Sequence, residues 1–133
     1  MARSPSSFGF MGVFGRSHDL KQLDAALRAA DLHPKLVSEA VKLTVVNLLK
    51  DHAVGAEPAP QAYAAAAEML AYCMLGPTML SATSPPDLIQ RVEARIERAL
   101  GAGEGLDAQL ILLTLHAKVV QPEVVDRFGL SSE

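Results

Sequence analysis

Between Pro34 and His52 the chain reads PKLVSEAVKLTVVNLLKDH, and its apolar residues recur with the 3.6-residue period of a helix instead of the alternation of a strand. Lys35, Ser38, Glu39 and Lys42 form one polar stripe, while Leu36, Val37, Ala40, Val41, Leu43, Val45 and Leu48 fill most of the remaining circumference. Pro34 suits the first helical position, because its missing N–H would find no partner there anyway. In the second half the stripe breaks down. Val46 and Leu49 stand where a solvated helix would carry polar residues. A helix that is apolar nearly all round is buried on more than one side. The stretch therefore predicts a central helix. Thr44 and Asn47, on its apolar side, then need hydrogen-bond partners.

The rest of the chain supplies helices to pack around it. Ser17 is a candidate N-cap, Asp19 suits a first turn, and Leu20, Leu23, Ala26, Leu27 and Ala30 make one stripe ending near Asp31–His33. Ala53–Pro60 reads as a linker. Gln61–Leu75 predicts a third helix, starting near Ala59 or Pro60, with Tyr63, Ala66, Ala67, Met69, Leu70, Cys73 and Met74 on one face. Gly76-Pro77 is expected to end it, with at most one more turn in Thr78–Thr83. Ser84-Pro85-Pro86 announces a fourth, outer helix over Asp87–Leu100, where Asp87 and Arg91 have the spacing of an i,i+4 ion pair. Gly101–Gly105 is a hinge-like loop. Leu106–Val120 predicts a second central helix with two apolar seams, one of Leu106, Leu110, Leu113, Ala117 and Val120, the other of Ala108, Ile111, Leu112, Leu115 and Val119. Pro122–Phe128 is a short last helix with Gly129 as a left-handed cap.

The expected fold class is all-α: one compact bundle of five main helices and a short C-terminal one, two of them central. It spans residues 17–133 behind a lead, Met1–Arg16, read as flexible. Phe8, Phe10 and Phe14 are the lead's candidates for tethering it across a groove or a neighbouring subunit.

Composition narrows the function classes. Aromatics are 5% of the chain with no Trp, so a base-stacking platform is not expected. The net charge is −3 with no Lys/Arg block, which argues against electrostatic binding of nucleic acid or membrane. The apolar span of the third helix is interrupted by Glu68 and Gly76-Pro77 and is too short to cross a bilayer. A single cysteine, Cys73, allows no internal disulfide and suits a reducing cytoplasm.

Chemistry-bearing motifs are few. No two of His18, His33, His52 and His116 sit at i,i+4 on one helix, and there is no P-loop, G-x-G-x-x-G or G-x-S-x-G. His18-Asp19 resembles the doublet of HD-type metal phosphohydrolases, which also need an upstream histidine that this sequence lacks. Pro122–Glu133 resembles the first helix and turn of a helix-turn-helix, with no recognition helix following. Glu68 is the only charge between Glu57 and Asp87. With Tyr72 and His116 it makes the candidate ligand pocket between helices, provided the three converge. No metal or other cofactor is expected. The leading expectation is a non-enzymatic, cytoplasmic interaction protein that forms homo-oligomers or binds another protein, with Val46 and Leu49 at the interface. A small-ligand or regulatory module, or a degenerate helix-turn-helix regulator, is the alternative.

Overall fold

The computed structural model describes residues 18–54 and 56–130. Ser17 and the lead before it, with the cap and tether readings placed there, lie outside the described residues. Among the described residues there are six α-helices, one 3-10 turn and no strand: α1 over residues 18–29, α2 Glu39–Ala53, α3 Pro60–Leu80, α4 Pro86–Ala102, α5 Leu106–His116 and α6 Pro122–Phe128. The all-α bundle is the one the periodicity predicts.

The stretch expected to be one helix from Pro34 is two elements. Pro34–Leu36 is an isolated 3-10 turn, capped by His33 Nδ1, which accepts from the Lys35 N–H. Ser38 then starts α2, its hydroxyl accepting from the Val41 N–H at 3.2 Å. A serine side chain that satisfies an orphan donor favours a fresh helix start over continuation. The inner positions also differ from expectation. α2 buries only Val41, Val45, Val46 and Leu49, one face, while Thr44 and Asn47 are exposed. Thr44 donates back to the Ala40 carbonyl.

The helix at the centre is α3, which packs against α2, α4, α5 and α6 and buries eleven residues. Ala66, Ala67 and Ala71 are fully enclosed, so their lack of bulk is what lets neighbouring backbones approach. α5 is the second inner helix, as expected, packing on α2, α3 and α4. It ends at His116 instead of Val120, because Lys118 turns left-handed (φ 60°) and the Val119 N–H closes on the Thr114 carbonyl. α6 and its Gly129 cap fall on the residues predicted.

Gly76 and Pro77 do not end α3; they break it and it resumes. Gly76 adopts φ 85°, ψ 156°, and Pro77 begins the final turn. Pro77 has no N–H for the Cys73 carbonyl. The Thr78 N–H is turned away from Met74. Two carbonyls are thereby orphaned, and a buried orphan costs ~1–3 kcal/mol. Gln121 meets both: its N–H donates to the Cys73 carbonyl at 2.8 Å, and its Nε2 donates to the Met74 carbonyl at 2.9 Å. Glu123 meets the other side of the break. Its Oε1 accepts from the Thr78 N–H at 3.0 Å and its Oε2 from the Thr78 hydroxyl at 2.5 Å. The Thr78 hydrogen bonds hold the Glu123 carboxyl below the usual carboxylate range.

Two outcomes follow from this join. A Cβ at position 76 would lie 2.7 Å from Glu123 Oε1, on a backbone conformation essentially reserved for glycine. Gly76→Ala should therefore lower the unfolding free energy by about 1–3 kcal/mol, read as a drop in urea midpoint at unchanged m-value. Because the folded Glu123 carboxyl titrates below its unfolded value, its stabilisation is present above the ordinary carboxylate range and is lost as pH falls through the folded value. Glu123→Gln should flatten that part of the acid limb of a thermal-stability profile, and an unchanged limb would refute the assignment.

Candidate interaction surface

Each residue proposed from the sequence as a site has a definite place. Glu68, on α3, pairs with Arg91 at 3.6 Å and Arg95 at 3.5 Å, both on α4. Arg95 also grips Asp107 on α5 through Nε and Nη2 (3.1 and 2.8 Å) and donates to the Ala65 carbonyl. Glu68 is therefore one corner of a three-helix ion-pair network. Arg91, expected to pair with Asp87, pairs with Glu68 instead. Tyr72 is fully buried. Its hydroxyl donates to Glu93 at 2.6 Å, Glu93 pairs with Arg127 on α6, and the ring meets Phe128 edge-on at 6.2 Å. His116 is exposed at the end of α5, on its α2 side beside Thr44 and Leu48. The three candidates do not converge. Glu68 and Tyr72 each meet a different partner on α4, and His116 belongs to another face.

Val46 and Leu49 are 3% and 2% exposed, packed in the core of the subunit itself. They are not available to a partner, and the interface expected there is corrected. Their apolar character closes α2 onto the bundle.

The remaining chemistry-bearing groups are occupied. Asp19, 1% exposed, accepts from the Tyr63 hydroxyl at 3.2 Å and pairs with Lys50 at 2.5 Å, tying α1 to α3 and α2. His18, beside it, is exposed and bonds Gln22. The doublet therefore splits between a buried tether and a surface group. His52 Nε2 meets Gln109 Oε1 at 2.7 Å, joining α2 to α5. Cys73 is buried, and burial pushes its thiol up to about 12. Among the described residues no group of three or more His, Cys, Asp or Glu side chains is placed to hold a metal. No helix there is long and apolar enough to cross a membrane. Two of the charged residues of α6, in the stretch that resembles a helix-turn-helix element, are exposed but engaged within the bundle: Glu123 closes the break in α3 and Arg127 pairs with Glu93.

Leu36, Val54, Met79, Leu100 and Leu112 are the exposed large apolar side chains among the described residues, and of these Leu100 and Leu112 line one recess, beside α5. Of its two seams, the first holds the fully buried Leu110 and the half-buried Leu106 and Leu113. The second is only partly covered: Ile111 is buried, Ala108 and Leu115 are half-buried, and Leu112 is 45% exposed. Leu112 stands as a ridge between two recesses. One, of about 330 Å³, is bounded by α4 through Ala99 and Leu100 and by Leu130 after α6. The other, of about 240 Å³, is bounded by Leu48 of α2. Leu100 is itself 45% exposed. Apolar surface thus runs from Leu48 across Leu112 to Leu100 and Leu130. The signal was present in the sequence as the second seam, but a helical wheel cannot tell a covered seam from a bare one.

A larger, polar groove of about 690 Å³ lies between α3, α4 and α6, lined by Thr78, Ser81, Gln90, Glu93, Glu123 and Arg127 among others. Four of these are already bonded in pairs: Thr78 to Glu123, and Glu93 to Arg127.

Compared with protein-family models, with curated proteins and with solved structures, the chain matches none.

The buried thiol and tyrosines generate a direct expectation. Tyr63, desolvated and beside the Asp19 charge, is pushed up to about 12, and Tyr72 is raised further by burial and its bond to Glu93. These are the two tyrosines of the chain. The folded protein should show only a small fraction of the full tyrosinate absorbance at about pH 11, where a solvated tyrosine is mostly ionised. Cys73 should not react with a thiol reagent until the chain unfolds. An early tyrosinate signal or fast labelling would show the core to be open.

Proposed function

We propose that this protein is a non-enzymatic interaction module, and that the apolar strip of α5 is where it meets a second copy of itself. The observation that carries the reading is Leu112, an exposed leucine between two apolar recesses on an inner helix of the bundle. Contiguous apolar surface on a folded chain favours association, since covering it returns ~25 cal/mol per Å². The ionisable groups support the same reading, because Glu68, Asp19, Glu93 and Glu123 are each committed to structural partners. A cytoplasmic setting fits a chain whose one cysteine is buried and unpaired.

A second reading, a small-ligand module, keeps one observation: the polar groove between α3, α4 and α6. Its opposing groups satisfy each other, which leaves fewer free donors and acceptors to orient a ligand than a binding site commonly offers.

Light scattering tests the leading reading. The full chain should weigh more than its 14.1 kDa monomer, with mass rising with concentration. Leu112→Glu should restore the monomer mass while keeping the far-UV circular dichroism of the folded bundle, with a Tm that no longer rises with protein concentration. A wild-type mass of 14.1 kDa at every concentration would sink the proposal.

A further inference from the structure

The recess between α4, α5 and Leu130 is lined by Ala99, Leu100, Ala108, Leu112, Leu115 and Leu130, with Gly103 and Gly129 at its margins. It is the more enclosed and the larger of the two recesses beside Leu112. A cavity of ~150 Å³ accommodates one benzene ring. The space here, about 330 Å³, is that of two phenyl rings.

The chain holds four phenylalanines, and Phe128 packs on Tyr72. The other three, Phe8, Phe10 and Phe14, lie within seven residues ahead of α1. Phe8 and Phe10 have the spacing that places two side chains on the same side of an extended segment.

Reach is set by where α1 starts. Asp19 is held to Lys50 and Tyr63, at the C-terminal end of α2 and the N-terminal end of α3. Two residues past Lys50, His52 bonds Gln109 of α5. Gln109 lines the smaller recess, and its neighbours Ala108 and, one turn on, Leu112 line the larger. Seven residues lie between Phe10 and His18, eight steps along the chain and a span of up to ~27 Å when extended. A tether this short holds its segment at an effective concentration on the order of millimolar. A free second copy reaches such a concentration only in concentrated solution.

We propose that the Phe8–Phe14 stretch of the same chain is the occupant of this recess, where it competes with the second copy. The proposal rests on the strip being a docking surface, and its test separates the two claims. Methyl NMR of the full chain, dilute enough to be monomeric, should show contacts from phenyl protons to the Leu100, Leu112, Leu115 and Leu130 methyls. The triple variant F8S/F10S/F14S should lose them while keeping its far-UV circular dichroism. In light scattering that variant should associate about a hundredfold more tightly, the factor when both facing surfaces must be open and each is open in about one molecule in ten. Absence of the phenyl-to-methyl contacts in the dilute full chain overturns the assignment. So does weaker or unchanged association of the variant, weaker association meaning that the stretch seats in the second copy. If neither chain associates but the contacts are present, the copy–copy reading fails and the occupant stands.

Discussion

Pro77 has no hydrogen to give, and Gly76 turns the chain where a helix would have continued. Everything at that end of the bundle follows from how the broken bonds are remade. Gln121 covers two carbonyls and Glu123 covers the donors of Thr78. The join sets the position of α6, whose Val124 is then buried and whose Phe128 and Arg127 reach the Tyr72–Glu93 pair. An unbroken α3 would need none of these partners. The break is thus what recruits the C-terminal segment, and glycine is required because Glu123 occupies the space of a side chain.

At the other end, charge performs a comparable task. Arg95 is partly buried and meets Glu68, Asp107 and the Ala65 carbonyl, so that one planar guanidinium registers α3, α4 and α5 together. Exposed ion pairs contribute little, but a guanidinium held by several acceptors in a half-buried site fixes geometry as well as energy. Asp19 does the same for α1. These arrangements account for most of the ionisable groups that would otherwise suggest chemistry. They also leave apolar surface, not charge, as the distinctive open feature.

That surface is a consequence of topology. α5 is apolar on two sides, and its neighbours α2, α3 and α4 cover each seam only in part, burying Leu110 on one and Ile111 on the other and leaving Leu112 exposed. The uncovered ridge at Leu112 is where the bundle has run out of its own helices. An inner helix with a bare flank is the geometry expected of a module that completes its packing with a further segment, whether from its own chain or a second copy.

Much of the fold was legible along the chain. The helical period located all six helices, and α6 with its glycine cap was read to the residue, because caps and period are properties of a few neighbouring residues. Two readings differ from the structure for one common reason: the period alone makes α2 central and Val46 and Leu49 open, and it leaves undecided whether Glu68, Tyr72 and His116 converge. A wheel reports how apolar a helix is, not which helix lies beside it. Ala66, Ala67 and Ala71 carry little hydrophobic signal, yet their small size is what admits neighbours to α3. The helical stretches and the two seams of α5 can be read along the chain, since both depend on contacts within a turn or two. That Glu123 meets Thr78 from 45 residues away, that Glu68 serves Arg95, and that Leu112 stays exposed emerge only once the helices pack. Those outcomes depend on which surfaces come together when the chain closes, and residues far apart along it carry no mark of their future neighbours.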